Sequence, residues 1–173
     1  MSKGLLIVFT GEGKGKTTAA LGMALRAAGH GMRTLILQFI KGSWASGERE
    51  ALERLEHISI ETLGSGFTWK KENLDEDRVL ARQGWNRAAE EIRSGRYDTI
   101  VLDEINCVLA YGLLPLDEVL ETVEKRPAHL HLVLTGRGAP EELVRRADLV
   151  TEMRQIKHPY HDRGEKAQKG IEF

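Results

Sequence analysis

Ile7-Val8-Phe9-Thr10-Gly11-Glu12-Gly13-Lys14-Gly15-Lys16-Thr17-Thr18 is the stretch on which the fold turns. The apolar run Leu5 to Phe9 has the length of a buried strand, and Ala19-Ala20-Leu21 opens a helix. Between them glycines recur at alternate positions, Gly11, Gly13 and Gly15. Glycine tolerates positive φ, so successive backbone N–H groups can turn inward and, with the helix N-terminus, form a concave anion site. Lys16 adds a point charge for phosphates and Thr17 a hydroxyl for Mg²⁺. The stretch therefore reads as the strand, loop and helix of a phosphate-binding loop. It departs from the common pattern G-x-x-x-x-G-K-[ST] at one place, where Thr10 stands in the position of the first glycine.

Strands and helices alternate from there to the end of the chain, with no internal repeat and no low-complexity linker. Strands are expected at 5–9, 34–39, 58–63, 99–102, 129–134 and 149–153. Helices are expected from Lys16 to Ala28, Glu48 to Glu56, about Asn73 to Arg93, in two short pieces broken near Gly112 to Pro115, and from Pro140 to Ala147, before a polar tail. In the long helix Ala81, Trp85, Ala88, Ala89 and Ile92 fall on one face. This order implies an α/β fold, a phosphate-loop, RecA-like, mostly parallel sheet with helices on both faces. Such sheets bind ligands beyond the carboxyl ends of their strands. The phosphate loop, 41–47, 64–69, Asp103-Glu104 and 135–138 are all expected on that one rim.

Composition narrows the function. With 173 residues, 25 basic and 26 acidic, the chain reads as one domain, 1–173, without the charge imbalance expected of a nucleic-acid or membrane-surface binder. Its single cysteine, Cys107, allows no internal disulfide or cysteine-rich metal site and reads as a small core residue on a helix. No apolar run has membrane-spanning length, and Met1 to Gly4 is short for a signal peptide; the expectation is a cytoplasmic protein. The histidine pairs His129/His131 and His158/His161 lack further ligands and are expected to be structural.

Four groups carry candidate chemistry. The loop itself, Gly11, Glu12, Gly13, Lys14, Gly15, Lys16, Thr17 and Thr18, is the nucleotide-binding segment, with Lys14 facing the phosphates and Glu12, repelled by them, pointing away. Asp103 and Glu104 end an apolar strand, where they either reach the metal held by Thr17 or cap the next helix from the surface. Arg137, in a glycine-flanked turn, either forks onto phosphate oxygens or is simply solvated. Phe67 and Trp69, with Trp44 nearby, concentrate aromatic residues in two rim loops of a chain that is only 6% aromatic. They either meet a flat apolar ligand or fold back as a small satellite core.

Taken in order, Gly11 to Thr18, Gln38-Phe39-Ile40-Lys41-Gly42, Gly66-Phe67-Thr68-Trp69, Leu102-Asp103-Glu104, Thr135-Gly136-Arg137-Gly138 and Lys166-Ala167-Gln168-Lys169-Gly170-Ile171 resemble the phosphate-loop type of ATP:corrinoid adenosyltransferase over essentially the whole chain. The resemblance implies transfer of the 5′-deoxyadenosyl group of ATP to Co(I) of a corrinoid, with release of triphosphate, in adenosylcobalamin synthesis or salvage. It implies ATP bound in the reverse of the usual sense, with Mg²⁺, and catalytic roles for Lys16, Arg137, Phe67 and Trp69, the aromatics lying against the corrin. It implies metal ligation by Thr17, Asp103 and Glu104, and a homodimer; members of the family often carry a segment ahead of strand one that helps to cover the nucleotide, a pattern from which this sequence departs, its strand one being expected from Leu5. No G-x-G-x-x-G fingerprint follows a second strand, so an external electron donor, a reduced flavoprotein, is expected. The competing function is an ordinary Mg²⁺-dependent phosphate-loop ATPase or kinase.

Overall fold

The computed structural model describes residues 3–40, 47–64, 66 and 74–171. Its strands are β1 (Leu6–Thr10), β2 (Thr34–Gln38), β3 (Ile58–Thr62), β4 (Thr99–Asp103), β5 (His131–Thr135) and β6 (Leu149–Glu152). Its helices are α1 (Lys16–Ala28), α2 (Gly47–Leu52), α3 (Asp75–Ser94), α4 (Ile105–Ala110), α5 (Leu116–Glu124), α6 (Glu141–Arg146) and α7 (Pro159–Arg163). The strands form one six-stranded sheet in the order β3-β2-β4-β5-β1-β6, and every pairing is parallel.

Period-two alternation distributes the apolar side chains between two layers. Leu6, Val8, Leu35, Leu37, Ile100, Leu102, Leu132 and Leu134 face α3, α4 and α5, where Trp85, Ala88 and Ile92 are fully or almost fully buried. Ile7, Phe9, Ile36, Val101 and Val133 face the opposite way, onto Ala20, Leu21 and Ala24 of α1 and Leu52 of α2. A sheet covered on both faces explains why its strands read as continuous apolar runs. The exceptions are the two edge strands, β6, exposed along its length, and β3, Ile-Ser-Ile-Glu-Thr, only partly buried.

The helix start expected near Asn73 falls at Asp75, and Asn73 lies outside the described residues. Two expected boundaries shift for local reasons. The strand expected from His129 begins at His131, because the Leu130 N–H donates to the Pro127 carbonyl and closes a turn first. The helix expected to reach Glu56 ends at Leu52, where Arg54 and Leu55 donate into tighter turns. The polar tail holds one unexpected element, α7, a short helix capped by His158, whose Nδ1 accepts from Tyr160 N at 3.2 Å. His131 is likewise structural, its Nδ1 accepting from Leu5 N. Among the described residues no helix is long and apolar enough to cross a membrane.

This topology positions the site. The strand that feeds the glycine loop, β1, and the strand that ends in Asp103, β4, are separated by β5. Each carboxyl end is tied to the segment leaving an adjacent strand: Phe39 N, after β2, donates to Asp103 O at 3.0 Å, Gly136 N, after β5, to Phe9 O at 3.2 Å, and Met153 N, after β6, to Thr10 O at 2.8 Å.

Candidate nucleotide and metal site

The glycine loop has the conformation its composition allows. Gly11 and Gly15 stand at φ 93° and 107°, values that a residue with a Cβ rarely adopts. Close approach is a second requirement. A Cβ on Gly13 would lie 2.8 Å from the Arg154 carbonyl, and one on Gly11 would lie 2.5 Å from the Met153 carbonyl. The segment leaving β6 thus forms the outer wall of the loop. It also takes one of the loop's donors, since Gly13 N–H donates to Met153 O at 2.6 Å. That N–H faces the tail, so the anion cradle is built from the other amides.

Lys16, at the first turn of α1, is only 7% exposed. Its Nζ donates to the carbonyls of Gly11 and Gly13, both at 2.7 Å, so the ammonium lies along the loop with two of its three donors placed. Burial holds its pKa below the usual lysine value, while the negative charge of Glu104 opposes that shift. Lys14 and Thr18 are exposed, and Glu12 is exposed with its carboxylate 3.4 Å from Arg137. That pair is solvated on both sides and contributes little to stability.

Behind the lysine lies a buried carboxylate. Asp103 is 0% exposed. Its Oδ1 accepts from Thr17 Oγ1 at 2.8 Å and from Thr135 Oγ1 at 2.7 Å, and its Oδ2 accepts from Gln38 Nε2 at 3.2 Å. Thr135 comes from the intervening strand β5 and accepts the Glu104 N–H through the same oxygen, at 2.9 Å. The acid pair is therefore not a surface cap. Asp103 is fully buried, and Glu104, at the start of α4, makes no side-chain capping bond. Glu104 instead accepts from the Cys107 thiol, 2.8 Å from Oε2. Burial raises its pKa, helped by the neighbouring charge of Asp103 and opposed by the Cys107 hydrogen bond and by Lys16 and Arg137. Burial and then the Glu104 charge push the Cys107 thiol up to about 12, so at neutral pH it keeps its proton and acts as a donor.

Arg137 sits in the turn after β5, with its side chain 59% exposed. Gly136, at φ 128°, lets this turn lie against α4, where a Cβ would stand 3.0 Å from Cys107 N. Asn106 Nδ2 donates to both Phe9 O and Gly136 O at 3.3 Å, and Thr10 Oγ1 accepts from Ala139 N at 3.2 Å. The unusual Thr10 thus fastens the start of the phosphate loop to the Arg137 turn, a bond glycine cannot make.

Lys16, Thr17, Asp103 and Glu104 are brought together at one end of the sheet, with Arg137 across the loop mouth. Phe67, Trp69 and Trp44 lie outside the described residues, although Gly66 N, at the base of their loop, donates to Ile40 O at 3.1 Å. The sequence did not point to Thr10 as a tether, to the bonds of Gln38 and Thr135 with Asp103, to Asn106 and Met153, or to the polar contacts of Cys107. Asn106 carried a usable signal, an amide within the apolar run Ile105 to Ala110.

A glycine loop between strand and helix, a lysine lying along it and a buried aspartate hydrogen-bonded to the helix-opening threonine define a phosphate-loop nucleotide-binding protein of α/β class. The chain matches the family described as ATP:corrinoid adenosyltransferase BtuR/CobO/CobP over residues 2–173. It is 47% identical to a corrinoid adenosyltransferase of Sinorhizobium sp., over 99% of this chain and 81% of that protein. It is 44% identical to one from Pseudomonas aeruginosa (99% and 84%) and 42% identical to one from Escherichia coli strain K12 (99% and 86%). The chain belongs to the ATP:corrinoid adenosyltransferase family.

Proposed function

We propose that this single-domain protein transfers the 5′-deoxyadenosyl group of ATP to the Co(I) of a corrinoid in adenosylcobalamin synthesis or salvage. The observation that carries the reading is the contiguity of Lys16, Thr17 and Asp103 beneath the glycine loop in a chain matched to the family along its length. The cobalt electron pair attacks the 5′ carbon, a Co–C bond forms, and the C–O bond breaks with its electrons leaving on triphosphate. The nucleophile belongs to the substrate, so the protein needs no serine, cysteine or histidine nucleophile. Its task is to bind and orient ATP and to stabilise the charge that collects on the leaving group. Lys16 and the N-terminus of α1 supply fixed positive potential for that charge, and Arg137 and Lys14 face it from the loop mouth.

The residues present suit Mg²⁺, a hard cation that takes oxygen ligands and keeps several waters. Thr17 Oγ1 and Asp103 Oδ1 lie 2.8 Å apart, and the Glu104 carboxylate follows in the chain. Thr17 would ligate Mg²⁺, with Asp103 and Glu104 holding it directly or through its waters. Bound there, the ion neutralises phosphate charge. A reduced flavoprotein supplies the electrons for Co(I), and the working form is a cytoplasmic homodimer. Incubation with ATP, Mg²⁺, a corrinoid and a strong chemical reductant is expected to give the adenosylcorrinoid spectrum. Its absence from folded, ATP-binding protein removes this reading in favour of ATP hydrolysis or phosphoryl transfer.

Phe67 and Trp69 form the corrin-facing wall in this reading and act on the Co(II) state. The base of their loop is packed tightly against the end of β2, where a Cβ on Gly64 would lie 2.3 Å from Phe39 O. In this reading the aromatics displace the lower axial ligand and make Co(II) easier to reduce. Phe67→Ala and Trp69→Ala are expected to be severely slow from Co(II) with a flavin donor. With Co(I) prepared beforehand they should recover most of their rate, with ATP affinity unchanged. Equal slowness with Co(I) assigns the aromatics to general packing instead.

A further inference from the structure

Cys107 stands between two parts of the site that the sheet's own ladder does not orient. Its thiol donates to Glu104 Oε2 at 2.8 Å, and its sulfur accepts the Arg137 backbone N–H at 3.2 Å. The residue is 6% exposed and closely packed: a Cβ on Gly136 would lie 3.2 Å from the sulfur. Both partners need an external restraint. Glu104 sits at φ 65°, a conformation that a non-glycine residue keeps only when its surroundings hold it. The Arg137 turn is flanked by Gly136 at φ 128° and Gly138 at φ 66°, residues with no side chain to stiffen it. A protonated thiol can donate to one partner and accept from the other at once.

We propose that Cys107 is a positioning residue of the transfer site, holding the Glu104 carboxylate with its proton and the Arg137 peptide with its sulfur. The inference rests on the proposed reading that Glu104 serves the cation and Arg137 the triphosphate. Cys107 takes no part in bond making. It sets where a carboxylate and a guanidinium begin, since both residues meet its sulfur.

The test compares Cys107→Val, which keeps the bulk and loses both hydrogen bonds, with Cys107→Ser, which can make both, and with Glu104→Gln. Cys107→Ala replaces the valine variant if the branched side chain does not pack. Calorimetric titration of ATP at several Mg²⁺ concentrations gives a binding readout beside kcat and KM. Removing the two bonds is expected to raise the Mg²⁺ needed for half-maximal ATP binding by roughly three- to tenfold, the scale of one or two net hydrogen bonds. KM for the corrinoid should barely move, the melting temperature should fall by only a few degrees, at about 2–4 °C per kcal/mol, and serine should restore most of the Mg²⁺ response. In a Glu104→Gln background the valine change should add no further Mg²⁺ shift. A normal Mg²⁺ response in Cys107→Val, alongside a shifted one in Glu104→Gln, overturns the proposal alone. A normal response in Glu104→Gln removes the reading beneath it and the proposal with it. A lowered melting temperature with no change in Mg²⁺ response reduces Cys107 to packing.

Discussion

Lys16→Ala is expected to lower turnover by roughly a hundredfold or more, the scale of removing one preorganised charge contact from a developing anion. Binding of ATP should weaken less. In ground-state ATP the triphosphate charge is already spread over the loop amides and the cation. In the transition state an added charge must be accommodated as the C–O bond breaks, and only interactions that strengthen there raise kcat. The fold should survive. The ammonium is buried against two carbonyls of its own loop, and taking it away removes a desolvated charge along with the two bonds that offset it. Calorimetry and single-turnover measurement on the folded variant separate the two effects. Unchanged kcat together with much weaker ATP binding would assign Lys16 to anchoring the substrate and leave leaving-group stabilisation to other residues.

The second large effect belongs to Asp103, where a conservative and a severe substitution should part company. Asp103→Asn keeps the shape and the acceptor for Thr17 and Thr135, and Gln38 can rotate its amide to accept in place of donating. Its melting temperature should fall by only a few degrees, at about 2–4 °C per kcal/mol for a chain of this size. Its Mg²⁺ requirement should rise about tenfold or more, because the charge proposed to hold the cation is gone. Asp103→Ala strands the buried Gln38 amide and the two hydroxyls, at about 1–3 kcal/mol for each group left unsatisfied. That variant should lose both stability and metal response. Thermal melts and Mg²⁺ titrations of the pair check this. An Asp103→Asn protein with an ordinary Mg²⁺ dependence would make Asp103 a structural hub for the rim, with Glu104 left to serve the metal.

The fold was legible because burial on both faces leaves a simple trace. Four of the strands are short apolar runs, and loops rich in glycine, proline or charge bound them. The helix Lys16–Ala28 was readable to the residue, since the glycine loop starts it and Gly29 follows it. The places of Asp103 at the end of β4 and Lys16 at the start of α1 were legible for the same reason: each follows from a local pattern.

The contacts that organise them are not local. Gln38 and Thr135 reach Asp103 across 65 and 32 positions, and Thr10 meets Ala139 across 129. Only the strand order β2-β4-β5-β1 brings them side by side. The short helix Pro159–Arg163 escaped because it buries nothing; it is held by the His158 cap and by His158 N donating to Asp162 Oδ2 at 2.8 Å. Cys107 was rightly placed in the core, but nothing in its neighbours announces that a carboxylate and a backbone amide converge on its sulfur.

Every role assigned above presumes that the 5′ carbon of ATP, and not its γ-phosphorus, is the electrophile. The most direct measurement is the fate of γ-labelled ATP under reducing conditions with Mg²⁺ and a corrinoid. Label is expected in intact triphosphate, in one-to-one ratio with the adenosylcorrinoid formed, and none without the corrinoid. Label in free phosphate, with ADP accumulating whether or not a corrinoid is present, would contradict it.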